Sequence, residues 1–153
     1  MAFEIRFATK DDIENIINIT REAFALYKER SGAKSVDALT ETYEDVLYDI
    51  ENKLVFVAID NNEMVGCVRV EIKDDKNAWL TRFAVKVSSH NSGKKLLARI
   101  DKVMAENDVK SISLYTASDV ASLMSFYGSC GFVTESTDTS RGYKRVKLLK
   151  KYT

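Results

Sequence analysis

The spacing of apolar residues changes twice along this chain of 153 residues, from helical to strand-like and back. Between residues 9 and 51 they recur every three or four positions, as in amphipathic helices. Between 54 and 87 they form three consecutive strand-like runs separated by polar turns. A helical stripe returns at 96–104, after which short strand and helix patterns alternate to residue 152. This alternation predicts a fold that mixes strands and helices, and it excludes all-helical and all-strand architectures.

The predicted element order is β-α-α-β-β-β-α-β-α-β-β. Three meander strands followed by a strand–helix–strand crossover indicate an α/β (α+β) fold. We expect a mixed central β-sheet of about seven strands with helices on both faces. We also expect a single domain over residues 1–153, because the length suits one hydrophobic core and neither a linker nor an internal repeat is evident.

Composition narrows the binding partners and the cellular compartments that we expect for this protein. The 23 basic side chains balance 23 acidic ones, whereas a dedicated nucleic-acid binder usually shows a strongly basic domain. The longest apolar run covers only residues 54–59, so we expect no membrane-spanning helix. Residues 1–12 show no secretory signal, and Cys67 and Cys130 are too few for a disulfide framework. The simplest prediction is a cytoplasmic protein.

The neutral total charge hides an asymmetry. Residues 1–52 carry 6 basic and 12 acidic side chains, whereas residues 53–153 carry 17 basic and 11 acidic ones. The split suggests one end that tolerates cations and another that tolerates anions. Two ordinary solvated surfaces would produce the same counts, and charge alone favours that interpretation.

The most informative stretch is a strand that runs into a short polar loop, which in turn opens an amphipathic helix, over residues 79–99. Asn91 and Gly93 are residue types that readily take left-handed backbone angles. Such a turn can direct N–H groups at a single anion beside the positive end of a helix, and Lys94 and Lys95 add full charges. The pattern is therefore suited to a pyrophosphate. A solvated loop before a lysine-rich helix face is an equally good interpretation of these residues alone.

The wider sequence context favours the interpretation of this loop as a pyrophosphate site. The element order, the sequence Asn-Ser-Gly-Lys-Lys-Leu-Leu at 91–97 and the sequence Phe-Tyr-Gly-Ser-Cys-Gly-Phe at 126–132 resemble the GNAT superfamily of acyl-CoA-dependent N-acetyltransferases. The resemblance extends from Ile5 to about Leu149, and the Phe-Tyr-x-x-x-Gly-Phe signature is its strongest element. The loop departs from the family pattern Arg/Gln-x-x-Gly-x-Gly/Ala, because Ser88 stands at the Arg/Gln position and Asn91 at the first Gly.

The resemblance implies acetyl-CoA or coenzyme A as cosubstrate, without a metal. In the family the coenzyme lies in a wedge between two splayed parallel strands, here ending near Val87 and Thr116. Its pantetheine pairs with strand backbone, and a strand N–H stabilises the charge that develops on the thioester oxygen. The residues that the resemblance places at the coenzyme are Phe83, Ala84, Val85, Asn91, Ser92, Gly93, Lys94 and Lys95.

Tyr127 matches the family tyrosine that donates a proton to the departing thiolate. It also shares a helical stripe with Leu123 and Met124, so a core tyrosine with a satisfied hydroxyl is the alternative. Tyr27 and Tyr43, on the two acidic helices, are candidate substrate contacts, although a core role is equally compatible with their spacing. Glu71 is the nearest acid to the coenzyme strand, but a solvent-facing edge position explains it as well. The sequence assigns no general base.

The family's reaction is direct attack by an amine on acetyl-CoA in a ternary complex. We therefore predict an N-acetyltransferase whose acceptor is a primary amine on a small molecule, peptide or protein. The alternative is a non-catalytic domain of the same fold that binds an acyl-CoA or a protein partner, which the altered loop and the missing base support. A homodimer is compatible with the sequence, whereas nucleic acid and membranes are not expected partners.

Overall fold

The structure, a computed structural model, describes residues 3–87, 89 and 91–152. Within these residues it contains seven strands and four longer helices, in the predicted order. The predicted α/β class with a seven-stranded mixed sheet is thereby confirmed. The elements are β1 (Phe3–Phe7), α1 (Ile13–Ser31), α2 (Tyr43–Asn52), β2 (Leu54–Asp60), β3 (Glu63–Ile72), β4 (Asn77–Val85), α3 (Ser92–Glu106), β5 (Ser111–Ala117), α4 (Ala121–Ser129), β6 (Val133–Asp138) and β7 (Arg145–Lys151).

The strands form one sheet in the order β1-β2-β3-β4-β5-β7-β6. All neighbouring strands are antiparallel except β4 and β5, whose parallel arrangement follows from the helical crossover through α3. The single parallel pair lies in the middle of the sheet. It divides the meander β1–β4 from the C-terminal group β5, β7 and β6.

Helices cover both faces of the sheet, and the strands alternate accordingly. On β2, Phe56 and Ala58 belong to the core beneath α3 and α4, whereas Val55 and Val57 belong to the core beneath α1 and α2. Each helix contributes one apolar stripe, since helices on a sheet bury residues at intervals of three and four. Two hydrophobic layers therefore hold the central strands from opposite sides.

The second helix begins later than its apolar spacing predicts. The spacing of Leu39, Tyr43 and Val46 predicts a helix over residues 38–51, but α2 starts at Tyr43, because Thr42 takes an extended conformation and caps the helix. The Thr42 hydroxyl accepts a hydrogen bond from the Asp45 N–H at 3.2 Å, and the Asp45 carboxylate accepts one from the Thr42 N–H at 2.9 Å. A short 3-10 turn precedes the cap. As a result Glu41 lies in a connection rather than on a helix, and it is buried.

The structure also provides observations on membrane-spanning helices, metal sites and cysteines. None of the helices in the described ranges has both the length and the hydropathy that crossing a bilayer requires. The same residues contain no cluster of three or more side chains suited to holding a metal ion. Cys67 and Cys130 are free thiols, and burial raises the pKa of the Cys67 thiol to about 11.

Candidate active site

A wedge opens in the middle of the sheet because β4 and β5 pair over only three positions. The pairs are Asn77 with Ser111, Ala78 with Ile112 and Trp79 with Ser113. Beyond Trp79 the two strands separate, and a cavity of about 1190 Å³ lies between them. Residues 79–83 and 85 of β4 and 114–116 of β5 line it. The side of β4 that faces β5 is therefore an unpaired strand edge next to a large cavity.

A bulge shapes this edge. In the ladder with β3, Cys67 pairs with Ala84 and Arg69 with Thr81, so Arg82 and Phe83 together stand opposite the single residue between the β3 partners. Arg82 has φ 53°, a left-handed value that non-glycine residues seldom adopt. Both bulge residues line the cavity. The extra residue lets β4 present an arginine and a phenylalanine to the wedge at consecutive positions.

The start of α3 closes one end of the cavity. Asn91 precedes the helix with φ 64°, the left-handed conformation expected of it. Gly93 is different, because it lies inside the helix without a left-handed φ. A Cβ there would come within 3.0 Å of the Phe126 ring and 3.1 Å of the Phe83 ring. Gly93 is thus required for close packing of the helix start and not for its backbone angle.

The other predicted loop residues have different surroundings. Ser92 is buried, and its hydroxyl contacts that of Ser89. Lys94 lines the cavity, whereas Lys95 is outside the cavity lining and has its ammonium 4.4 Å from the centre of the Phe3 ring. Ser88, which stands at the Arg/Gln position of the family pattern, lies outside the described residues.

An aromatic cluster forms the wall on the α4 side. The Phe83 and Phe126 rings stack with centroids 5.5 Å apart, and the Tyr127 ring meets Phe126 edge-on at 5.3 Å and Phe132 at 5.8 Å. Tyr127 is buried yet lines the cavity. Its hydroxyl makes no hydrogen bond with any residue that the structure describes. Burial raises the pKa of this phenol well above its ordinary value, so it remains protonated at neutral pH.

On the opposite side, α1 and the connection between β6 and β7 approach each other. The Tyr27 and Tyr143 hydroxyls are hydrogen-bonded at 2.9 Å, and both residues line the cavity. Burial and this hydrogen bond raise the pKa of Tyr27. The remaining two predicted acceptor contacts are not in the cavity lining. Tyr43 is 44% exposed on α2, and Glu71 pairs with Lys73 at 3.3 Å on the surface.

A buried charge cluster beneath the bulge was not predicted from the sequence. The side chain of Arg69 is 1% exposed, and its two terminal nitrogens donate to the Glu41 carboxylate at 2.6 and 2.8 Å. Arg69 also donates to Asp49 at 2.9 Å, and Arg82 donates through Nε to Glu41 at 3.2 Å. Burial alone would lower the pKa of Arg69, but the hydrogen bonds and charges of Glu41 and Asp49 raise it. The cluster links α2 and its preceding connection to β3 and to the bulge.

One signal in the sequence could have revealed this cluster. Arg69 interrupts an otherwise apolar strand, and a charge inside a buried strand requires an opposite charge or a cavity beside it. The spacing of residues does not identify the partner, because Glu41 is 28 positions away.

The residues around the wedge fit an acyl coenzyme A. The unpaired edge of β4 can hydrogen-bond an extended pantetheine chain, because such a chain carries amide donors and acceptors. The N-terminus of α3, with Asn91 before it and Lys94 beside it, provides the positive potential that a pyrophosphate requires. The cavity is continuous from this helix end to the Tyr27–Tyr143 pair, so it has room for a second molecule.

Comparisons with known proteins agree with this geometry. Residues 18–132 match the model of the acetyltransferase (GNAT) family. A spermidine N(1)-acetyltransferase from Thermoplasma acidophilum is 24% identical over 151 residues, covering 92% of this chain and 94% of that protein. The crystal structure of the PaiA N-acetyltransferase from T. acidophilum in complex with coenzyme A is 25% identical, with a TM-score of 0.84 and coverage of 99% and 100%. A ribosomal-protein-alanine N-acetyltransferase from Brucella melitensis, 20% identical, shares the fold with a TM-score of 0.79 over 97% and 99% of the two chains.

The family match covers well over half of the chain. The protein therefore belongs to the acetyltransferase (GNAT) family, whose members are acyl-CoA-dependent N-acetyltransferases. The resemblance inferred from the signature at 126–132 is thereby confirmed.

Proposed function

We propose that the protein transfers an acetyl group from acetyl-CoA to a primary amine of a small molecule, peptide or protein, by direct attack within a ternary complex. The observation that carries this proposal is the position of the Tyr127 hydroxyl. It has no hydrogen-bond partner among the described residues, and Tyr127 lines the same cavity as the free edge of β4. Acetyl-CoA supplies an activated acetyl thioester, and the remaining steps depend on residues of the chain.

The first task of the chain is to hold and polarise the thioester. We assign the backbone of Phe83, Ala84 and Val85 to the pantetheine and the acetyl carbonyl, because these residues follow the end of β4–β5 pairing. An N–H fixed in a strand needs no reorganisation to stabilise negative charge on a carbonyl oxygen. We assign Asn91, Ser92, Gly93 and Lys94 to the pyrophosphate, with Lys95 as a more distant charge.

The second task is to protonate the leaving thiolate. Tyr127 fits this role because its phenol is neutral at physiological pH and is held rigidly by the surrounding rings. The alternative interpretation, a core tyrosine with a satisfied hydroxyl, requires a hydrogen-bond partner. The described residues provide none.

The third task is to obtain a neutral amine, and we assign no residue to it. Among the described residues, the acids that line the cavity are Glu22, Glu29 and Asp37, and all three are exposed. Exposed carboxylates are well solvated and are poorly placed to hold a proton during a buried reaction. Deprotonation of the amine in solution, or through water, accounts for the step without a dedicated base.

We further propose a cytoplasmic location. The supporting observation is the presence of two free thiols, Cys67 buried and Cys130 partly exposed. Disulfide-free cysteines are usual in reducing compartments.

The decisive experiment is calorimetric titration of acetyl-CoA and of coenzyme A into the purified protein. The Lys94→Ala, Lys95→Ala double variant is the test variant, and Lys102→Ala is the matched control, because Lys102 is exposed on the same helix outside the cavity lining. We expect micromolar binding that the double variant weakens about tenfold or more, since Lys94 contributes a charged contact to phosphate and Lys95 a more distant positive charge. The control should bind like the parent protein.

Two outcomes would contradict the proposal in different ways. An absence of binding by the parent protein would remove the coenzyme from the site altogether. Binding without transfer to any amine in a broad screen would favour the alternative function, a domain that binds an acyl-CoA without catalysing its reaction.

A further inference from the structure

The charges around the acceptor half of the cavity identify a chemical class of substrate. We define the acceptor half as the part of the cavity lined by Tyr27, Arg30, Asp37, Arg82, Arg141, Tyr143 and Arg145. From these residues we propose that the acceptor amine carries a carboxylate close to its amino group, and that Arg82 binds this carboxylate. The inference rests on the proposed acetyl transfer and specifies its second substrate.

The acidic N-terminal third of the chain does not make this half acidic. Several of its carboxylates are already bound elsewhere, Asp12 to Arg6 at 2.8 Å and both Glu41 and Asp49 to Arg69. The carboxylates that do line the cavity are exposed at its rim. The partly buried charges of the acceptor half are instead two guanidinium groups, those of Arg82 and Arg145.

Of these two groups, Arg145 is already bound by other residues of the protein. It donates two hydrogen bonds to Asp138, at 2.9 and 2.6 Å, and its guanidinium lies 4.2 Å from the centre of the Tyr115 ring. Arg82 uses only Nε, which donates to Glu41. Its two terminal nitrogens have no hydrogen-bond partner among the residues that the structure describes. A guanidinium with two free, coplanar nitrogens matches the two oxygens of a carboxylate.

The cluster beneath Arg82 compensates that positive charge only in part. Glu41 is bound on both of its oxygens by Arg69, so Arg82 shares a carboxylate that is already neutralised. Asp49 is shared in the same way between Arg69 and Lys53, which lies 3.2 Å away. Three cations thus share the two carboxylates of the hydrogen-bonded cluster, and the cation nearest to the cavity is Arg82. Asp45, whose carboxylate accepts from the Thr42 N–H, is a third carboxylate within electrostatic range of Arg69 and Arg82. The hydrogen bond from Nε to Glu41 also restrains Arg82, which reduces the entropy lost when a ligand binds.

The position of Arg82 limits the distance between the two groups of the substrate. Arg82 immediately precedes Phe83, where we place the acetyl carbonyl, and the two residues form the same bulge. A carboxylate bound by the Arg82 side chain would therefore lie within one side-chain length of an amine attacking at Phe83, a separation that a short skeleton can span. Amino acids and compounds like them have this arrangement, whereas a polyamine lacks the carboxylate.

The test compares acceptors that differ only in the acid group. Alanine and alaninamide, with spermidine as a polycation, would be assayed by the release of free coenzyme A thiol. We expect kcat/KM for alanine to exceed that for alaninamide by about tenfold or more, because a hydrogen-bonded charge pair contributes such a factor. The amine of alaninamide is less basic than that of alanine, so a larger fraction of it is neutral and able to attack at neutral pH. This difference favours alaninamide, so a preference for alanine would be the more informative result.

Variants connect the preference to the residue. Arg82→Gln should lower kcat/KM for alanine about tenfold more than it lowers kcat/KM for alaninamide, which abolishes the preference for the acid. Arg82→Lys should retain part of the preference. Lys28→Gln is the matched control, because Lys28 is an exposed cation on α1 outside the cavity lining. Unchanged acetyl-CoA binding by calorimetry would show that the Arg82 variants remain folded.

The possible failures are distinguishable. A preference for alaninamide or spermidine, or an equal effect of Arg82→Gln on acid and amide, overturns the inference but leaves acetyl transfer intact. If acetyl-CoA binds without any transfer, N-acetylalanine and N-acetylalaninamide would be titrated into the protein loaded with coenzyme A. Tighter binding of the acid that depends on Arg82 supports the inference, and its absence overturns it. If acetyl-CoA does not bind, the proposed function and this inference fail together.

Discussion

The two halves of the cavity are built from different kinds of contact. On the coenzyme side, an unpaired strand edge, a helix start and stacked rings provide backbone groups and apolar surface. On the acceptor side, the walls are joined by long-range polar pairs, Tyr27 with Tyr143 across 116 positions and Arg69 with Glu41 across 28. The coenzyme side is suited to one unchanging ligand. The acceptor side is defined by its side chains, so we expect specificity for the second substrate to reside there.

Chemistry on the coenzyme side should depend most strongly on a single hydroxyl. Replacing Tyr127 by Phe removes the proposed proton donor and keeps the ring that packs against Phe126 and Phe132. We expect kcat to fall by about 10²- to 10⁴-fold, the usual contribution of a positioned acid, with acetyl-CoA binding nearly unchanged. Steady-state kinetics together with calorimetry would measure both quantities.

The pH dependence sharpens the same comparison. Because burial raises the pKa of Tyr127, the phenol stays protonated and activity should not fall as the pH rises toward the ordinary pKa of tyrosine. Tyr48→Phe is the control, since Tyr48 is 61% exposed and outside the cavity lining. Unchanged turnover by Tyr127→Phe would remove this residue from the acid role and return it to the core.

Stability on the acceptor side should depend on the buried charges. Arg69→Ala would leave Glu41 and Asp49 without their principal partner, and removing one member of a buried pair costs about 3–5 kcal/mol. Lys73→Ala, which breaks the exposed pair with Glu71, should cost less than about 1 kcal/mol. Urea unfolding at constant m would give both free energies of unfolding. A loss for Arg69→Ala as small as that for Lys73→Ala would show that the cluster is accessible to water.

The sequence predicted the fold and the family because their signals are local. The spacing of hydrophobic residues identifies each helix and strand. The residues of the 126–132 signature lie within one helix and the turn that follows it. Asn91 was predicted in its left-handed conformation for the same reason. The role of Gly93 was different, because its close contact with Phe83 and Phe126 is a tertiary contact that local spacing does not encode.

The contacts on the acceptor side could not be predicted from local sequence patterns, because they join residues that are far apart in the sequence. Tyr27 was predicted as a substrate contact from its place on an acidic helix, but its partner Tyr143 comes from the opposite end of the chain. Glu41 was expected on a helix, where it would have been an ordinary surface acid. The Thr42 cap delays the helix, and the carboxylate can then reach Arg69 and Arg82. Small local deviations of this kind determine which charges meet.

The smallest effect we expect concerns a partly buried pair, Asp138 with Arg145, at the edge of the acceptor half. Hydrogen bonds from Ser140 and Arg145 lower the pKa of Asp138 to about 2. A carboxyl group whose pKa is lower in the folded state stabilises the fold above its ordinary pKa, and this contribution disappears as the pH falls through the folded value. The difference in stability between the parent protein and Asp138→Asn should therefore be constant near neutral pH and vanish between about pH 4 and pH 2.

Thermal or urea unfolding across this pH range would measure that difference, with Asp74→Asn, in an exposed turn, as the control.

The Asp138→Asn variant also removes the carboxylate that binds Arg145. If Arg82 is the carboxylate site because its terminal nitrogens are free, a freed Arg145 offers a second one, and Asp138→Asn should then modestly increase the preference for alanine over alaninamide. A preference that stays the same would mean that Arg145 remains against Tyr115 and that the acceptor half has a single anion-binding position.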